Sequence, residues 1–247
     1  MSLKSRLFLL SLLFVIVGCT RRTMHVTSVE TSLLAVDSSL NAVQDTGYLA
    51  MLAPVSEGLE EQLNIPLGYT DVEMVSRKPE STLLNWASDA LFMMAKQVYT
   101  GEVDLAVVNA GGLRCEWQKG PLTFRNVFEL MPFDNELVIL TLKGENIIRL
   151  AQNCVEQNGQ GVSASFRVKG ENGQLISCTV HGKEVNPEAL YYVATSDYLS
   201  GGADGLDALP LFEERVFTGR KIRDLYIECI RQQGTITASV DGRMTIN

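Results

Sequence analysis

"VVNAGGLRCEW", Val107 to Trp117, begins as part of a short apolar run and breaks into Asn109-Ala-Gly-Gly-Leu-Arg114. The run "DLAVVN" reads as a buried strand, because it is apolar throughout rather than alternating. A strand ending in two glycines and an arginine can bring bare backbone and a cation to one point, as a ligand site needs. The same six residues also fit a plain turn, with Gly111 and Gly112 supplying positive φ and Arg114 in solvent. The segments on either side have to decide.

Upstream, "MVSRKPESTLLNWASDAL" sets Arg77 just before Ser81 and Thr82, either of which caps a helix over Leu83–Tyr99 that ends before Gly101. Earlier, Leu49, Leu52, Val55, Leu59 and Leu63 recur at three and four, predicting a helix over 46–63, and "IPLGYTDVEMV" reads as a strand. Downstream, Thr123 caps a brief helix in "TFRNVFELM". Phe133 then stands between a proline and a polar turn, just ahead of the strand "ELVILTLK". Gly144 leads into a helix to about Gln157. After Asn158-Gly159, the strands "ASFRVKG", "LISCTVHG" and "LYYVATSDYL" are separated by Gly/Asn turns. The last of them ends at Tyr198, followed by a glycine turn and Asp204. "GRKIRDLYIECIRQQG" is an amphipathic helix stopping at Gly234, and "GRMTIN" is a closing strand. Helices and strands mix without strict alternation and without a repeat. The expected fold is α+β, a single mixed α/β domain over residues 43–247.

The N-terminus stands apart from this domain. Lys4 and Arg6 precede the apolar run Leu7–Val17, which is too short to span a bilayer and has the length and flanks of a secretory signal. It runs into Ile16-Val17-Gly18-Cys19, which resembles a bacterial lipobox. Residues 1–18 are therefore expected to be a lipoprotein signal peptide, Cys19 the lipidated residue, and 19–42 a polar tether. The alternative is a plain signal peptide with an incidental cysteine. Lipid chains contribute about 0.8 kcal/mol per buried CH₂, enough in combination to hold a protein at a membrane. No acidic run follows Cys19, so a periplasm-facing anchor in the cell envelope is expected rather than surface display.

Removing Lys4 and Arg6, with no acidic residue before Cys19, takes the formal charge from −8 to −10. Such a surface repels nucleic-acid backbones and argues against a polymeric DNA or RNA partner, while a small anion can still bind where arginines converge. Cys115, Cys154, Cys178 and Cys229 show no C-x-x-C spacing, which argues against zinc, and their apolar contexts favour free buried thiols over disulfides. The two histidines are His25, in the tether, and His181, at a turn.

In order and spacing, these segments resemble the C-terminal, substrate-binding domain of the 5'-nucleotidase family, which includes the periplasmic UDP-sugar hydrolases. The resemblance runs from about Val43 to Asn247. It takes in the family's F-x-V-x-G strand at Phe166–Gly170 and its G-x-x-v-x-P-x-x-x-Y-x-V-A segment at Gly182–Ala194. It implies that Arg77 and Arg114 face the phosphate side of a nucleotide and that Asn109, opening the turn that contains Gly111, reaches the base. It also implies that Phe133 and Tyr198 sandwich the base and that Asp204 holds the ribose hydroxyls. The residue types suit those tasks. Guanidinium forks match phosphate oxygens, flat rings stack on bases, and a carboxylate can accept from both hydroxyls of a diol. Taken singly, Phe133 also fits a core, Tyr198 a strand-end filler and Asp204 a turn cap. The sequence departs from the family in Ala110 for a usual glycine, Tyr198 for a common phenylalanine, and Gly-Gly-Ala-Asp for Gly-Gly-Asp.

Members of the family hydrolyse phosphate esters with two metal ions on an N-terminal metallophosphatase domain, whose D-x-H and G-N-H-[DE] motifs do not occur here. The expectation is that this chain supplies no catalytic residue and no metal ligand, and that divalent metals sit on a partner metallophosphatase. Three readings follow. The chain is the nucleotide-binding half of a split 5'-nucleotidase, a lipid-anchored nucleoside- or nucleotide-binding protein, or a degenerate domain kept for protein contacts. The intact candidate residues weigh against the third. An arginine pair aimed at phosphate favours the first over the second.

Overall fold

A computed structural model describes residues 24–38, 40 and 44–247; the expected signal peptide and Cys19 lie outside the described residues. The described residues up to Met51 and residues 52–247 fall into separate units, and the second carries the fold. Helix α1, Thr46–Leu63, forms where the three–four spacing predicts it, but buries none of its residues.

The centre of the second unit is a five-stranded sheet in the order β10 (Glu214–Lys221), β4 (Glu136–Lys143), β9 (Leu190–Ser196), β2 (Leu105–Val108), β5 (Gly161–Val162). β9 runs antiparallel to β4 and parallel to β2. Both faces of this sheet are covered, so successive residues enter opposite cores. Ala106, Val108, Leu137 and Ile139 join one cluster, and Leu105, Val107, Val138 and Leu140 the other. That is why "LAVV" and "ELVILTLK" read as unbroken apolar runs.

One face is covered by α2 (Thr82–Val98) and α5 (Ile222–Gln233), with Trp86 between Trp117 and Tyr226 at ring centroid distances of 5.1 and 5.3 Å. A small sheet of β11 (Thr235–Ile236), β1 (Pro66–Thr70) and β3 (Gly120–Thr123) adjoins it. The other face is covered by α4 (Gly144–Glu156). Beyond α4 lies a sheet of β12 (Met244–Ile246), β6 (Phe166–Glu171), β7 (Gln174–Val180) and β8 (Lys183–Glu184). Gly144 has no substitute at the start of α4, since a Cβ there would lie 1.9 Å from the Asn186 carbonyl oxygen. Arg243, 4% exposed, donates to the carboxylates of Asp89 and Asp241 and to the Val162 carbonyl, tying the C-terminal segment to α2 and β5.

Several boundaries differ from the expectation. Ser81 stands at the N-cap of α2 without capping it. Its buried hydroxyl has no partner among the described residues, and Thr82 instead donates to Glu73 O and accepts from Val75 N. Thr123 does cap α3 (Phe124–Leu130), in a reciprocal box with Asn126. "GRK" belongs to β10 rather than to α5. β10 is an edge strand with a half-exposed, charge-rich sequence, which hides its alternation. Gly234, at φ 69°, ends α5 as expected.

All four cysteines of this unit are free. Burial pushes the Cys154 and Cys229 thiols up to about 12 and the Cys178 thiol to about 11. The attacking species in alkylation is the thiolate. Iodoacetamide at pH 8 should therefore leave Cys154 and Cys229 unmodified in the native protein and label both in denaturant. Rapid native labelling of either, by peptide mass spectrometry, would contradict this packing.

Candidate functional site

The strand directions of the central sheet gather three chain segments at one edge. Because β9 is parallel to β2 and antiparallel to β4, the ends of β2 and β9 and the beginning of β4 lie together, with Leu137 opposite Ser196 at the last step. Asn109 follows β2, Phe133 and Asn135 precede β4, and Tyr198 follows β9. Asp197 fastens the last two segments. Its N–H donates to Glu136 O at 2.9 Å, and its Oδ1 accepts from the backbone N–H of Glu136 (3.1 Å) and of Tyr198 (2.8 Å).

A pocket of about 310 Å³ opens at this edge, at the small end of the range for ligand sites. Asn109, Gly111, Arg114, Phe133, Tyr198 and Asp204, six of the seven binding residues singled out above, line it together with Gly112 and Asn135. Tyr198 is 51% exposed and Phe133 partly exposed, so neither ring is a core residue. Asp204 sits at φ 54° between Gly202 and Gly205, at φ 85° and 74°. The turn thus holds three left-handed residues in four positions and fixes the carboxylate at the pocket wall. The Asn109 amide donates to Asp204 Oδ2, and the Tyr198 hydroxyl to Oδ1 at 3.4 Å. Each oxygen keeps a lone pair for a ligand hydroxyl.

At Gly112 the first turn needs small size and not positive φ. Ala110–Gly112 forms a 3₁₀ turn in which neither Gly111 nor Gly112 has positive φ. A Cβ on Gly112 would lie 2.6 Å from Asn109 Oδ1, so this glycine makes room for the carboxamide that meets Asp204. Ala110 is accommodated because no left-handed backbone is needed at its position, and its N–H donates to Gln160 Oε1 at 2.8 Å.

The Arg114 guanidinium lies 5.1 Å from the centroid of Phe133, within cation–π reach, and pairs with no carboxylate among the described residues. Arg77 is exposed and is not part of the pocket lining. Its neighbours connect it to the far wall. Lys78 Nζ donates to Gln157 O at 2.7 Å, and a Cβ on Gly205 would lie 2.2 Å from Gln157 Nε2. The Gln157–Gln160 turn therefore touches the Arg77 segment, the Asp204 turn and, through Gln160, the Asn109 turn. In the sequence it shows only as an Asn-Gly break. Asn135 is legible as an i, i+2 companion of Phe133, but only once the pair is known to lead into a strand.

The sequence profile of the 5'-nucleotidase C-terminal domain family matches residues 66–211. Protein UshA of Yersinia enterocolitica is 24% identical over 192 residues, covering 75% of this chain and 35% of that protein. Protein UshA of Escherichia coli K12 is 24% identical over 187 residues, covering 73% and 34%. The chain thus spans about a third of the length of these relatives. Its fold is similar to that of a 5'-nucleotidase precursor from Thermus thermophilus, with TM-score 0.73 and 22% identity, over 82% of this chain and 43% of the other. With the profile covering more than half of the 247 residues and the folds agreeing, the chain belongs to the 5'-nucleotidase C-terminal domain family.

Proposed function

We propose that this domain binds a nucleotide with its base between Phe133 and Tyr198, its ribose on Asp204 and its phosphate towards Arg114, with Arg77 at the rim. The observation that carries this reading is the convergence in one pocket of two half-open rings, an anchored carboxylate and a guanidinium that pairs with no carboxylate among the described residues. The rings offer stacking surface, the carboxylate offers a bidentate acceptor, and the guanidinium suits an anion.

The proposal extends to the chemistry. A separately encoded metallophosphatase supplies the divalent metals, and this domain presents the substrate to it. On this reading the donors for a two-metal centre belong to the partner. The lipid anchor at Cys19 would then keep the substrate-holding half at the membrane face of the cell envelope. A second reading, a lipid-anchored nucleoside- or nucleotide-binding protein with no catalytic role, is favoured by Arg77 standing outside the pocket lining. That leaves one cation for a phosphate.

Calorimetry on the intact chain separates the parts. Phe133→Ala and Tyr198→Ala should each weaken nucleoside binding by about 1–3 kcal/mol. Arg114→Ala should weaken AMP much more than adenosine, because only AMP carries a charge that a guanidinium matches. Unchanged affinity in both ring variants would overturn the stacking site, and equal losses for AMP and adenosine in Arg114→Ala would favour the second reading.

The purified chain, supplied with Mn²⁺, Co²⁺ or Zn²⁺, should not hydrolyse AMP, UDP-glucose or p-nitrophenyl phosphate. Turnover that survives several columns and vanishes on mutating a residue of this chain would refute the division of labour.

A further inference from the structure

Phe133 and Asn135 lie on the segment 131–135, which belongs to no helix or strand. Something else must hold the base-facing wall of the pocket in place. Three consecutive residues at the junction of β10 and α5 grip it. Lys221 Nζ pairs with Asp134 Oδ2 at 3.0 Å, and the Ile222 N–H donates to Asn135 O at 3.0 Å. Arg223 makes the most contacts of the three. Its Nη2 donates to Asp134 Oδ1 at 2.6 Å, and its Nη1 reaches the carbonyls of Phe133 and Met131 at 3.4 and 3.5 Å. Its guanidinium also lies 4.3 Å from the centroid of Phe128 on α3.

We infer that Arg223 is a positioning residue for base recognition: by bridging the Phe133 carbonyl and the Asp134 carboxylate it fixes where the Phe133 ring and the Asn135 amide stand. This rests on the reading that the pocket takes a nucleotide.

Exposure distinguishes this contact from an ordinary surface ion pair. The Arg223 side chain is only 11% exposed, and its Nε is buried without a partner among the described residues. Exposed pairs contribute little, whereas a guanidinium held this far from water has few other places to direct its donors. Asp134 is itself open to solvent, and Lys221 and Arg223 together hold its carboxyl below the usual carboxylate range. A lysine at position 223 has no planar fork with which to span two carbonyls and a carboxylate. The clamp touches neither Asp204 nor Arg114 directly; it reaches the phosphate side only through the Phe133 ring, against which the Arg114 guanidinium lies.

The test measures AMP, UMP and ribose 5-phosphate binding to the full chain and to Arg223→Met, Arg223→Lys and Asp134→Asn. The readout is the ratio of nucleotide affinity to ribose 5-phosphate affinity, which isolates the base. Both Arg223 variants should lower that ratio about tenfold, part of what a lost stack removes, with ribose 5-phosphate binding preserved. Asp134→Asn, a change at an exposed side chain that leaves the carbonyl contacts in place, should lower it less. A purely structural role would weaken all three ligands in parallel or none, and either result overturns the inference. Should the Arg223 variants fail to fold, an unchanged ratio in Asp134→Asn overturns it alone. A wild-type chain that binds no nucleotide removes the proposed function and this inference with it. A wild-type chain that binds, with ratios unmoved in the variants, removes only the inference.

Discussion

The candidate site depends on the pairing of β9 with its two neighbours. One strand runs parallel to β2 and antiparallel to β4, and the register that sets Leu137 against Ser196 brings two strand ends and one strand beginning to the same edge. A slip of one residue would turn Val193, Ala194, Val138 and Ile139 from one core into the other. Because both cores are tightly filled, that register is strongly specified. The positions of Asn109, Phe133, Asn135 and Tyr198 follow from it at no further cost in chain length.

Local contacts then convert nearness into a shaped pocket. Asp197 ties the beginning of β4 to Tyr198, and the left-handed Asp204 turn delivers a carboxylate that Asn109 and Tyr198 hold from two sides. Gly112 is small so that Asn109 can stand there, and Gly205 is small so that Gln157 can pass beneath. The polar groups of the wall thus hold one another in place before any ligand arrives, which reduces the ordering that binding requires.

Much of this is legible in the sequence, for stated reasons. Strands buried on both faces show as apolar runs, so β2, β4 and β9 can be read directly, and with them the turn after Val108 and the ring before Glu136. The family resemblance then supplies the grouping of distant residues that no local pattern carries. What escapes is what only tertiary contact creates. The edge strand β10 hides its alternation among charges, and Arg223 looks like one more cation on an amphipathic helix until the 131–135 segment is seen against it. The roles of Asn135, Gln157 and Gln160 arise from neighbours far away in sequence. Gly112 suggests backbone freedom when the constraint is side-chain space, a difference that sequence cannot express.

The most direct test of the central claim is a crystal structure of the chain with a nucleoside monophosphate bound. The account predicts the base between the Phe133 and Tyr198 rings, the ribose hydroxyls within hydrogen-bonding distance of Asp204, and the phosphate turned towards Arg114. A nucleotide seated away from these rings, or a pocket that stays empty at saturating ligand while the nucleotide binds elsewhere, would contradict it.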